Sequence, residues 1–205
     1  MYEPAHAWFR VIVRPSMMPF ALVAGLFASA DAAAQEYAAR QVDGWTVAAS
    51  KDKGGCFMTR TYEGAGATTL LLGLDVDGSN RLSVLNGNWS IKPKDRWQLS
   101  FRLSDGGYAN HPVVGMASDG KKGFVTNFEA KFPAYFAASR AVHIYRGDVP
   151  VEQLSLDGSG AAVAELRRCV DVFRAKAATG AREERRSDRI PKDPFAPDAK
   201  RSSRD

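Results

Sequence analysis

Residues 149–176, VPVEQLSLDGSGAAVAELRRCVDVFRAK, constrain the fold more than any other stretch, because they spell a strand, a tight turn and one amphipathic helix in that order. Leu154 and Leu156 alternate with Gln153, Ser155 and Asp157, the period of a half-buried strand. Asp157-Gly158-Ser159-Gly160 breaks the alternation, and Ser159 or Asp157 is placed to cap a helix beginning near Ala161. Ala162, Val163, Leu166, Cys169, Val170 and Phe173 then share one face, with Arg167, Arg168, Asp171 and Arg174 outside it. Cys169 therefore points inward. A glycine-rich turn before a helix can cradle phosphate. This one lacks the lysine and the spacing of a P-loop, and a plain strand-to-helix turn accounts for it.

Upstream lie short β-forming segments separated by turn residues. Trp45 and Val47 flank Thr46 in the first; residues 56–62 form a second; residues 68–76 are apolar enough to be buried on both sides. Asp77-Gly78-Ser79-Asn80 turns the chain into residues 81–85. The clearest strand is 96–103, where Trp97, Leu99, Phe101 and Leu103 alternate with Gln98, Ser100 and Arg102. Residues 113–117, 123–129 and 141–146 follow, with 131–139 a loop or helical turn between the last two. Eight or nine short strands followed by one helix point to a mainly β, single-domain β-sandwich or flattened barrel closed by the C-terminal helix. Residues 35–43 read as a short leader into this domain.

The flanks carry targeting and charge. Arg10 and Arg14 precede an apolar run over 17–30, followed by Ala30-Asp31-Ala32 and Ala32-Ala33-Ala34, the order of a secretory signal peptide. Residues 1–34 are thus expected to be removed, leaving a β domain over 35–176 and no stable membrane span; the competing reading is a retained anchor helix. No Arg-Arg pair precedes the run, which favours general secretion. The segment 177–205 is charged and poor in core formers and is expected to be a disordered basic tail, with Phe195 its only aromatic residue. The chain carries a net charge of +5, but residues 176–205 hold nine Lys and Arg against six Asp and Glu. The basic balance is largely a property of the tail, so no nucleic-acid partner is expected.

The chain has two cysteines, Cys56 and Cys169. In an exported protein two cysteines pair, and closing a loop of about a hundred residues stabilises by roughly 4–5 kcal/mol in the chain-entropy model. The rival reading, a thiol nucleophile, requires a base that the sequence does not place beside either residue.

Other chemistry is sparse. DVDGSN begins like a calcium loop, but Asn80 stands where glycine is needed and Asn86 where glutamate is needed. Asn88-Trp89-Ser90 is a glycosylation sequon. His111, beside Pro112 and near Asp105, allows an acid–base pair or is simply solvated. His143 sits mid-strand. No metal-ligand spacing and no G-x-S-x-G elbow is present, and no metal or cofactor is called for. The aromatic residues Phe124, Phe128, Phe132, Tyr135, Phe136 and Tyr145 either line a ligand groove or fill the core.

Gly44-Trp45-Thr46-Val47 after a signal peptide, Cys56 soon afterwards, and Leu154-Ser155-Leu156-Asp157-Gly158-Ser159 opening a terminal helix resemble the invasion-associated locus B family of alphaproteobacterial exported β proteins. The chain departs from that family's pattern in having no cysteine just after Val47 and none in mid-chain. The resemblance implies a periplasmic or secreted, non-enzymatic β protein linked to the cell envelope or to host contact, with no catalytic residues to carry over. The expected role is a binding or envelope-accessory protein acting on an envelope or host protein. The alternative is a secreted hydrolase using His111 and Asp105.

Overall fold

The structure is a computed structural model and describes residues 37–189, apart from Lys53 and Asp105. The expected signal segment 1–34 and the last part of the expected tail, 190–205, lie outside the described residues. In chain order the elements are β1 (Arg40–Val42), β2 (Trp45–Ala49), β3 (Gly55–Thr61), β4 (Thr69–Asp75), β5 (Asn80–Asn86), β6 (Arg96–Leu103), β7 (Gly106–Ser118), β8 (Lys121–Asn127), α1 (Phe132–Ala138), β9 (Ala141–Arg146), β10 (Val149–Ser155) and α2 (Ser159–Arg189). All ten strands join one antiparallel sheet in the order β1-β2-β3-β4-β5-β8-β7-β6-β9-β10. The sheet is open, with β1 and β10 as its edges. The expected mainly β domain, sandwich or flattened barrel, takes the form of one open sheet curled around a single core, and the helix closes it as the sequence indicates.

The inner face follows from alternation. Trp45 and Val47, Met58, Leu70 and Leu72, Leu82 and Val84, Leu99 and Phe101, Val142 and Ile144 all point into one buried cluster. β4 was expected to be buried on both faces. It alternates instead, with Leu70, Leu72 and Leu74 buried and Leu71 and Gly73 half-buried, because the outer face of the sheet has no second layer over it. Aromatic rings run through the core from end to end. Trp45 meets Phe136 at 5.9 Å, Phe136 meets Phe132 at 5.9 Å, and Phe132 stacks on Phe128 at 3.9 Å. Phe128 meets Phe101 at 5.1 Å, Phe101 meets Phe124 at 6.0 Å, and Phe124 stacks on Trp89 at 6.0 Å. Edge-on and offset contacts of this kind add about 0.5–1.5 kcal/mol per pair beyond area burial.

α2 plugs the end of this core. Its buried stripe is Ala162, Val163, Leu166, Cys169, Val170 and Phe173, set against β2, β3 and α1. Burying each of the larger side chains contributes about 1.5–3 kcal/mol. Cys56 on β3 is bonded to Cys169 across a sequence separation of 113, with a Cα–Cα distance of 6.2 Å. Both cysteines are buried. Neither expected capping side chain caps α2: Ser159 Oγ donates to Phe136 O, and the Asp157 carboxylate accepts from Ser155 Oγ.

Three further differences from the sequence reading have physical causes. Residues 40–42, taken as leader, form β1, paired to β2 through an Asp43-Gly44 turn with φ of 46° and 82°. Both central residues at positive φ make a turn whose twist suits a two-residue hairpin. Residues 106–112, left outside the strands read at 96–103 and 113–117, belong to the thirteen-residue β7. Pro112 and Asn110 argue against a central strand, but a bulge opposite Leu99–Phe101, with Asn110 at φ 50°, absorbs the irregularity. α2 was expected to end near Lys176 and runs to Arg189. Ala, Arg and Glu dominate that extension and favour helix without packing.

The two edges are managed differently. β1 is short and tied down by Glu165 on α2, a buried carboxylate that accepts from Tyr37 Oη at 2.6 Å and Arg40 Nη1 at 2.9 Å and pairs with Arg168 at 3.1 Å. Tyr37's hydrogen bond, then Arg168 and Arg40, hold the Glu165 carboxyl below its usual range. Burial, then Glu165, pushes the Tyr37 hydroxyl up to about 12. β10 is blunted as a template. Pro150 has no N–H, the register shifts between Pro150 and Glu152, the Gln153 N–H donates to the Glu152 carboxylate, and Ser155 O accepts from Tyr62 Oη.

Replacing both cysteines by serine is expected to lower stability by about 2–5 kcal/mol in denaturant unfolding, and adding reductant to the wild type should reproduce that loss. Glu165→Gln is expected to cost about 1.5–3 kcal/mol at pH 7. The depressed carboxyl contributes stability above its unfolded value of about 4.3 and loses it as pH falls through the folded value. The gap between variant and wild type should therefore close in acid, and a gap equal at pH 7 and pH 3 would refute the charge assignment. Removing residues 177–205 is expected to move the melting temperature by less than about 2 °C, because α2 is exposed on every side from Arg174 through Glu183.

Candidate functional site

Strand polarity sets the two ends of the curled sheet apart. α1 and α2 close the end where β8 and β10 finish. At the opposite end β9 finishes, β10 begins, and the loop from β5 to β6 folds inward. That loop is seated by Gly115 on β7: Gly115 N donates to Asp95 O, Lys94 N donates to Gly115 O, and a Cβ at Gly115 would strike Lys92 O. Between loop, β6 and the β9–β10 turn lies a cleft of about 490 Å³. Leu99, Phe124 and Trp89 form its floor, with Trp97, Lys92 and Arg146 among its walls.

The cleft has a defined chemistry. Trp97 is the outermost residue of the inward-facing row on β6 and stays 41% exposed. The Arg146 guanidinium lies over its ring at 5.3 Å. No ion pair engages Arg146 among the described residues. Asp95 is the one acidic side chain in the lining, and its Oδ2 accepts from Lys92 N at 3.0 Å. Exposed aromatic surface beside cations that make no ion pair among the described residues suits ligand binding.

The six aromatic residues singled out in sequence are not one surface. Phe128, Phe132 and Phe136 are core, and Phe124 is core except where it floors the cleft. Tyr135 is 38% exposed on α1, beside a second hollow of about 240 Å³ shared with Tyr108 and Glu129. There Tyr108 Oη donates to Glu129 Oε1 at 3.2 Å, and burial, then Glu129, pushes the tyrosine up to about 12. Tyr145 stands elsewhere on β9 under the Arg102 guanidinium at 4.7 Å. Trp89, Trp97 and Arg146 are not site candidates in the sequence reading, which places Trp89 in a sequon and Trp97 in a strand. The signal for Trp97 was a tryptophan opening an alternating strand next to Arg96 and Gln98.

The acid–base candidates are built into the fold. His111 lies in β7, its ring stacked on Phe128 at 4.3 Å and its Nε2 2.9 Å from Asn127 O. A carbonyl only accepts, so Nε2 carries the proton. Asp105 lies outside the described residues. His143 is half-buried on β9. The Ser118–Lys121 pair has Ser-x-x-Lys spacing but spans the β7–β8 turn, where Ser118 bonds Asp119 and Lys121 Nζ bonds Ala67 O and Thr69 Oγ1. Among the described residues no three His, Cys, Asp or Glu side chains converge as a metal site, and no helix is long and apolar enough to cross a membrane.

The two short motifs of the family resemblance touch each other. Trp45 Nε1 and Arg60 Nη1 both donate to Asp157 O at 3.0 Å, and a Cβ at Gly158, whose φ is 80°, would strike Asp43 O. They form a structural joint at the helix end, away from the cleft.

No protein-family model matches the chain, and no curated protein does. Among solved structures the chain is similar to invasion associated protein B from Bartonella henselae, at 15% identity and a TM-score of 0.49, over 64% of this chain and 97% of that one.

Proposed function

We propose that the chain is an exported binding or envelope-accessory protein, acting in the periplasm or outside the cell on an envelope or host partner. The observation that carries this reading is the Cys56–Cys169 bond, which ties the second long strand to the terminal helix inside the core. A bond on which the packing of the closing helix depends belongs in a compartment that keeps cysteines oxidised. The Arg-flanked apolar leader supplies the route there. The mouth cleft supplies a surface that binds: it holds aromatic rings and guanidinium where a partner can reach them.

Expressing the chain with its own leader and analysing the exported fraction by mass spectrometry tests the reading. The expected species begins near Ala33 or Gln35 and shows no free thiol when denatured without reductant. A chain retained in the cytosol with two free thiols would refute export, and an intact Met1 species in the membrane fraction would replace cleavage by anchoring.

A further inference from the structure

We propose that the mouth cleft binds an acidic saccharide, a sugar chain carrying carboxylates. The inference rests on reading the chain as a binding protein and adds the ligand's chemistry. Its volume of about 490 Å³ falls in the range of small-molecule sites, roughly 300–1,000 Å³.

Charge argues for an anion. Arg146 and Lys92 line the cleft against one acid, Asp95, whose carboxylate is already turned to a backbone N–H of its own loop. The Arg146 guanidinium carbon lies over the Trp97 ring at 5.3 Å, and no ion pair or hydrogen bond engages its N–H fork among the described residues. That fork matches a carboxylate in bidentate geometry.

Shape argues for a ring with polar edges. Trp97 offers exposed aromatic surface at the mouth, and Trp89 is held in place by its stack on Phe124. The C–H faces of a pyranose suit such surfaces, and Asn88 and Ser90 in the same lining suit its hydroxyls. An acyl chain would need a tunnel, and the floor is closed: Leu99 and Phe124 are buried against the aromatic core. A peptide adding itself as a strand would need the β10 edge, where Pro150 lacks an N–H and the Gln153 N–H is taken by Glu152.

The test uses the exported, oxidised protein titrated with tetragalacturonate, with its neutral methyl ester and with oligoglutamate, followed by calorimetry and tryptophan fluorescence. Saturable binding of tetragalacturonate is expected, with the ester and oligoglutamate at least about tenfold weaker and the affinity falling with salt. Arg146→Gln and Trp97→Ala should each lose about tenfold or more. Both side chains are on the rim, and unchanged melting temperatures would show that the variants fold. Equal binding of the ester, tighter binding of oligoglutamate, or full affinity in Arg146→Gln would overturn the proposal. If exported, oxidised protein ignores the saccharide, the site is refuted while the binding-protein reading stands. Cytosolic protein with free thiols refutes that reading instead.

Discussion

An open sheet curled around one core has to be held shut by something other than strand pairing, and here the Asp157 carbonyl is the joint on which closure depends. It accepts from the Trp45 indole on β2 and from the Arg60 guanidinium on β3, residues more than ninety positions away in sequence. The last strand is thereby fastened to the first long hairpin just before the chain enters α2. Gly158 lets the backbone pass against Asp43 at that point, which any side chain would prevent. The helix then continues the closure through apolar burial, through the disulfide to β3, and through Glu165 to β1. A backbone carbonyl serves well as the joint, because no substitution at residue 157 removes it.

That arrangement divides the molecule into two unlike ends. The helix end spends its polar groups on one another: Arg40 on Glu165, Arg60 on Asp157, Tyr62 on Ser155. The other end is covered only by a loop. Its floor is the final ring pair of the aromatic row, Phe124 and Trp89, and its rim leaves Trp97 and Val149 in solvent, the latter 54% exposed. Rigid packing behind an exposed rim is what a preorganised site requires, because side chains that are already ordered lose little entropy on binding.

How much was legible in sequence follows the same division. The stripe from Ala162 to Phe173 could be read directly, since helical periodicity and tertiary burial agree there. β6 could be read for the same reason. β1 is too short to show a period, although Asp43-Gly44 was a usable hairpin sign. β7 was hidden by Pro112 and Asn110, which propensity assigns to loops and a bulge fits into the sheet. The extension of α2 was hidden by the opposite conflict, strong helix formers in a segment too polar to pack. The cleft could not be read at all. It joins Trp89 in the β5–β6 loop, Trp97 at the start of β6, Phe124 in the middle of β8 and Arg146 at the end of β9, and nothing local in sequence relates them. The run of aromatics from Phe124 to Phe136 suggested a groove because it is dense in sequence, whereas alternation along β8 and the turn into α1 send most of it inward.

Arginine placement separates structural from available charge more sharply than net charge does. Arg40 lies over Tyr37 at 5.4 Å, Arg60 over Tyr62 at 5.1 Å, Arg102 over Tyr145 at 4.7 Å and Arg146 over Trp97 at 5.3 Å. In each case the guanidinium carbon sits over an aromatic ring. In the first two its N–H groups are also taken, by Glu165 and by Asp157 O, so that the charge is spent inside the fold. Arg102 and Arg146 make neither an ion pair nor a side-chain hydrogen bond among the described residues. Only Arg146 also borders a cleft. A guanidinium held on an aromatic face keeps its direction without being neutralised, which is the condition for recognising an anion by geometry as well as by attraction.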